Sequence, residues 1–218
     1  VMIPKKIKSI IFDFGGVISK TLFETHELTE AALKLPPNTL QWRGPFDPGS
    51  DSLWKSMQDN KISERDYWKI RTNEVGSLLK KDWTEISDFV RAARGTQPLD
   101  IIRPEALQII GFAVKKNIRL AVLSNELDLF YGEGFRDKLP FLKSFEIIHD
   151  ATYTNILKPD PRSYNSCLKD LGLSADQCIF IDDQPKNILG AKRVGLNAIQ
   201  FNVLKPKESF AAVLDLLK

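Results

Sequence analysis

Cysteine and histidine are scarce in this chain, two of each in 218 residues. Cys167 and Cys178 stand 11 residues apart, with neither a C-x-x-C pair nor a metal-type spacing. That excludes a disulfide framework; both fall in expected helix or strand, as buried free thiols, and a reducing compartment fits. A charge excess is also missing, because Lys+Arg 31 against Asp+Glu 28 leaves a formal +3. That is too little to point to nucleic acid or a membrane surface, and the short basic cluster KPK at 205–207 reads as a solvated loop. No apolar run approaches the ~20 residues that span a bilayer. The initial VMIPKK lacks the apolar stretch of a signal peptide and runs into a strand, so a cytoplasmic location is expected. What remains, 43% hydrophobic and 27% charged, is ordinary globular composition, and the length suits one domain with a sizeable insertion or two small domains.

Five short β-branched or aromatic runs, bounded by polar or turn residues, read as buried strands: 9–14, 119–124, 145–150, 178–182 and 197–201. Helical patterns separate the last four. The stretch 103–116 has Pro104 for a first turn and apolar Leu107, Ile110 and Val114. Residues 160–172 and 185–195 each close on a glycine, and an amphipathic helix occupies the last twelve residues. Strands alternating with helices imply a doubly wound α/β domain with a parallel sheet, in residues 1–20 and 100–218. Residues 21–99 interrupt the alternation with helical patterns and a Pro/Gly-rich stretch, and Ser63 with Asp66 forms a capping-box signature. This is a helical subdomain inserted after the first strand.

In such a sheet, ligands sit at the carboxyl ends of the strands. Asp13 ends the first strand, Ser124 and Asn125 the second, and Asp182 and Asp183 the fourth, while Lys158 lies in the loop LKPDP after the third. A carboxylate at the end of a buried strand is costly unless charge meets it. One chemistry uses these types together. A carboxylate nucleophile attacks phosphorus, a divalent cation bridges carboxylates and substrate oxygens, hydroxyl and amide hold phosphoryl oxygens, and a lysine offsets the negative charge. Oxygen-only ligands suit Mg²⁺. Singly, each residue has a blander reading, as a cap, a turn former or a solvated lysine. Their joint placement at strand ends of one sheet is what carries the inference.

The segments FDFGGV, VLSN, LKPDP and IFIDDQPKN resemble the four motifs of the haloacid dehalogenase superfamily, in that family's order and spacing. The helical insertion resembles its first-position cap domain. The resemblance implies a Rossmann-like core of strand order 5-4-1-2-3, a Mg²⁺ cofactor, a small phosphorylated substrate and an aspartyl enzyme intermediate. By matching position, Asp13 is the implied nucleophile and Lys158 its charge partner. Ser124 and Asn125 are implied to bind the transferring group, and Asp183, supported by Asp182, to hold the metal together with Asp13. Asn187 matches a further polar position.

One position departs from the family pattern. Most phosphatases of the superfamily carry a second Asp two residues after the nucleophile, as general acid and then base, and here that residue is Gly15. Its backbone carbonyl, the implied metal ligand, survives; the proton donor, worth ~10²–10⁴-fold, does not. The implied outcomes are a phosphatase for substrates with good leaving groups or with an acid from the cap, a hydrolytic 2-haloacid dehalogenase, or a weakened binding protein. RPEALQII, KPDPRSY and FIDDQPKNILGA are similar to the branch typified by α-D-glucose-1-phosphate phosphatase, which also lacks that Asp. Arg43, near where 2-haloacid dehalogenases place a substrate-binding arginine, is the candidate substrate ligand of the insertion. Trp42, Trp54, Tyr67 and Trp68 are either substrate wall or cap core.

Overall fold

The structure, a computed structural model, describes residues 6–94 and 98–218. The first residues of VMIPKK and Gly95, at the end of the last expected helix of the insertion, lie outside them. In chain order the elements are β1 (Ser9–Phe12), α1 (His26–Leu33), α2 (Ser52–Gln58), α3 (Glu64–Leu78), α4 (Ile86–Arg94), α5 (Pro104–Lys115), β2 (Arg119–Ser124), α6 (Leu127–Tyr131), β3 (Ile147–Asp150), α7 (Ala151–Thr154), α8 (Pro161–Leu171), β4 (Cys178–Asp182), α9 (Pro185–Arg193), β5 (Asn197–Gln200) and α10 (Pro206–Leu216). Contacts divide the chain into two compact units. One comprises Val1–Lys20, Ile101–Leu127 and Leu139–Lys218; the other comprises Thr21–Asp100 and Asp128–Lys138. The second thus takes in residues 128–138, which the sequence places between β2 and β3.

The first unit is built on a parallel five-stranded sheet of order β3-β2-β1-β4-β5, the expected order read from the other edge. β1 is central and buried at every position, hence its apolar run from Ile10 to Phe12. Its side chains alternate between two covered faces. Ile11 joins Ala121, Leu123, Cys178 and Phe180 in one core with Tyr164 and Cys167 of α8 and Ile188 and Ala191 of α9. On the other face, α5 packs on β2, and α10 packs on α5 and β5.

Three strand limits and one helix face differ from expectation. β1 ends at Phe12 rather than Phe14, because the Asp13 side chain accepts the Phe14 N–H at 2.8 Å and turns the chain out of the ladder. β3 begins at Ile147 and β5 ends at Gln200, each shorter than its apolar run. In α5, Leu107 and Val114 are 39% and 49% exposed. The buried stripe is Ala106, Ile109, Ile110 and Ala113, whose two alanines let the helix lie close to the sheet.

The inserted unit holds no strand among its described residues. The rings of Trp42, Trp54, Tyr67 and Trp68 surround Phe23 at centroid distances of 5.2–6.1 Å, and all four are buried. The capping box of Ser63 and Asp66 opens α3 as expected. Asp51, 1% exposed, accepts from the Gly44 and Trp54 amides, the Tyr67 hydroxyl and Arg71 Nη2. The bond to Gly44 fixes the loop that carries Arg43. Gly44 has φ +50, and a Cβ there would stand 2.5 Å from the Phe23 ring, so the position admits only glycine.

Candidate active site

The register of the sheet brings the site together. Phe12 is aligned with Val122 on one side and Ile181 on the other, so Asp13 leaves the sheet level with Leu123 and Asp182. Its amide donates to the Ile181 carbonyl at 2.8 Å. The turn that follows contains two glycines. Gly16 sits at φ +83, which excludes ordinary side chains, whereas Gly15 at φ −65, ψ 125 is in a region open to any residue. Gly15 is also exposed. The absent carboxylate at position 15 is therefore not a demand of the backbone.

Lys158 answers the question of what meets Asp13. Its Nζ lies 3.0 Å from Asp13 Oδ1 and 2.7 Å from Asp182 Oδ2. The Lys158 side chain is 1% exposed, against 13% for Asp13 and 0% for Asp182. Burial acts to lower the Lys158 pKa, but the two carboxylates outweigh it and hold the ammonium charged, above its ordinary value. Both oxygens of Asp182 are further engaged: Oδ1 accepts the Gln184 amide at 2.8 Å, and the Asn187 Nδ2 donates to both, at 3.2 and 3.0 Å. Asp182 is thus the anchor of Lys158, satisfied on every side.

The backbone of Lys158 is held as firmly as its ammonium. Asn125 accepts the Lys158 N–H at 2.8 Å and donates to the Lys158 carbonyl at 3.1 Å. Asn125 thus brackets the backbone of the lysine. Next in sequence, Pro159 lies against α9 at Gly190, where a Cβ would stand 2.7 Å from the proline ring and 2.9 Å from the Tyr164 hydroxyl. That hydroxyl donates to the Asn187 carbonyl at 2.7 Å. Burial lifts the Tyr164 pKa, so it stays a neutral donor.

One ligand atom from each of Asp13, Asp182 and Asp183 lies within 4.8 Å of the others. All are oxygens, the donor type of a hard divalent cation. With Asp182 saturated, Asp13 and the half-buried Asp183 are the carboxylates on offer, and Gly15, two residues after Asp13, is exposed. This set fits Mg²⁺. Ser124 ends β2, 5% exposed, its Oγ accepting from the Glu126 amide at a long 3.3 Å.

Arg43 and the two histidines are placed as follows. Arg43 is exposed on its loop in the inserted unit. His149 pairs through Nε2 with Asp170 at 2.7 Å, apart from the acidic cluster. His26 is buried, its Nδ1 donating to the Leu40 carbonyl. Sequence reasoning missed Gly190 and Tyr164, whose roles rest on long-range packing. The only trace was a glycine inside a helix, which marks close approach.

Residues 7–195 match the family described as haloacid dehalogenase-like hydrolase. The chain is 27% identical over 90% of its length to "Acyl-CoA dehydrogenase family member 10" of Mus musculus, and spans 18% of that protein. It is 30% identical over 97% of its length to "Validoxylamine A 7'-phosphate phosphatase" of Streptomyces hygroscopicus subsp. limoneus, covering 93% of it. Its fold is similar to that of the HAD-hydrolase YfnB from Bacillus subtilis, solved bound to magnesium, with TM-score 0.67 and 17% identity over 91% of this chain and 88% of that one.

Proposed function

The chain belongs to the haloacid dehalogenase-like hydrolase family, and from that premise we propose a Mg²⁺-dependent phosphomonoesterase that acts on a small phosphorylated metabolite through Asp13. The observation that carries this reading is the Lys158 ammonium, fixed within 3.0 Å of Asp13 and 2.7 Å of Asp182. An opposite charge at that distance favours the ionised form of a carboxylate, the form a nucleophile requires. Asp13 attacks phosphorus, the leaving oxygen departs, and water then releases phosphate from the acyl phosphate and restores the carboxylate. The Ser124 hydroxyl donates to a phosphoryl oxygen, and Lys158 shares the charge of the transferring group. Asp13, Asp183 and the Gly15 carbonyl would hold Mg²⁺, which would supply charge neutralisation for the phosphoryl oxygens.

Without a carboxylic acid at position 15, the leaving oxygen has no proton donor from this loop. The reading therefore favours anomeric or acyl phosphates, whose leaving groups need little protonation. The inserted unit is assigned the part of a cap, with Arg43 as its candidate substrate ligand.

An aryl phosphate assay tests this. Turnover is expected with Mg²⁺ and not in chelator, and is expected to vanish in Asp13→Asn. Metal-independent turnover, or turnover indifferent to that substitution, overturns the proposal. Halide release from a 2-haloacid in chelator would establish the dehalogenase reading in its place. Failure to bind beryllium fluoride would establish the non-catalytic one.

A further inference from the structure

We propose that Arg103 is the positioning residue of the nucleophile turn, clamping its two glycines so that Asp13 and the Gly15 carbonyl keep their places. The inference rests on the phosphatase reading for its catalytic consequence, but not for the clamp itself.

Arg103 is 2% exposed. Its Nε and Nη2 both donate to the Gly16 carbonyl, at 3.1 and 3.0 Å. Two donors of a planar fork on one acceptor define the direction of that carbonyl, which a single ammonium donor cannot do. The Arg103 backbone is pinned to the same turn from the other side. Its amide donates to the Ile18 carbonyl at 2.9 Å, beside an antiparallel bridge between Ser19 and Ile102. The Lys20 amide donates to the Ile101 carbonyl at 2.7 Å. The chain thus leaves β1 and returns at α5 as a short paired ribbon, with Arg103 its inward-facing end.

The guanidinium also lies over the Phe201 ring, 5.3 Å from its centroid. The Phe201 amide donates to the Asp182 carbonyl at 2.8 Å. Arg103 therefore touches both the turn that follows Asp13 and the residue that holds the backbone of Asp182.

Such a clamp is needed because adjacent glycines lose more conformational freedom on ordering than any other pair. Gly15 and Gly16 adopt (−65°, 125°) and (83°, −23°), and nothing in their own side chains holds those angles. Only the φ and ψ of Gly16 separate its fixed carbonyl from the preceding peptide, so the clamp restricts where that peptide can go. That peptide contains the Gly15 carbonyl and lies one residue from the Phe14 amide that holds Asp13 Oδ1 at 2.8 Å.

The experiment compares Arg103→Met and Arg103→Lys with the parent chain by hydrogen exchange without metal, and by aryl phosphate kinetics with Mg²⁺. In R103M, exchange of the peptide spanning residues 12–19 is expected to accelerate about tenfold or more, as lost charge-assisted bonds imply. Peptides from β2 and α8 stay unchanged. The kcat is expected to fall about 10–100-fold with KM within a few-fold, as a misplaced nucleophile gives. R103K falls between, and carries both readings should R103M fail to fold. Unchanged exchange over 12–19, or acceleration spread evenly through the core, overturns the proposal. So does a kcat per folded molecule equal to that of the parent. A parent chain with no phosphatase activity removes the phosphatase reading alone, and the exchange measurement still decides the clamp.

Discussion

The ammonium of Lys158 lies 2.7 Å from Oδ2 of Asp182, a carboxylate with no exposed surface and bonds from Gln184 and Asn187 on both oxygens. Removing one member of a buried ion pair costs up to about 3–5 kcal/mol; here Asp13, 3.0 Å from Lys158, still offsets part of the ammonium charge, but the donors of Gln184 and Asn187 lose their carboxylate. Asp182→Asn is therefore expected to lower the thermal midpoint by many degrees as well as abolish turnover. Asp13→Asn, at the 13% exposed end of the same network, is expected to abolish turnover at a much smaller cost in stability. Melting curves beside aryl phosphate assays separate the two; equal losses of stability would refute the division of labour.

Gly15→Asp places a carboxylic acid where the backbone, at φ −65 and ψ 125, accepts any side chain. The variant is expected to fold with an unchanged melting point. Its kcat toward alkyl phosphates is expected to rise, by up to ~10²-fold, while that toward aryl phosphates moves little, because general acid catalysis matters most for poor leaving groups. A parallel assay of both substrate types decides it.

Gly190→Ala sets two effects against each other. Alanine favours a helix interior by about 0.5–1 kcal/mol. Its Cβ, however, would stand 2.7 Å from the Pro159 ring, 2.9 Å from the Tyr164 hydroxyl and 3.0 Å from the Pro159 carbonyl. Overpacking of this kind costs about 1–3 kcal/mol, so a net loss of stability is expected in denaturant titration. Because Pro159 adjoins Lys158, a fall in kcat should accompany it.

Cys167 and Cys178 are both free and buried. Burial pushes their thiols up to about 12 and about 11 respectively. The thiolate is the reactive form, so at pH 8 neither is expected to react with a disulfide reagent in the folded protein. Both should react once guanidinium chloride unfolds it. Rapid labelling of native protein would show that α8 opens away from β4.

The sheet was legible in the sequence because each strand of a parallel sheet is buried on both faces and reads as a short apolar run. Family membership was legible for a related reason, since strand ends bring chemistry-bearing residues to one edge in fixed order. The limits of β1 and β3 and the inward face of α5 were not. The first depended on the cap made by Asp13, the last on close packing through Ala106 and Ala113.

What the sequence determined by itself, then, is the order of β-strands and helices and the candidates Asp13, Ser124, Lys158, Asp182 and Asp183, because periodicity and spacing are local properties. The tertiary structure alone decided how those groups share their work. Asp182 and Asn125 turn inward to hold Lys158. Gly190 admits Pro159, and Arg103 reaches across 87 positions to Gly16. Each of these is a contact between residues distant in the chain, and hydrogen-bond direction and steric fit exist only once the sheet has brought them together.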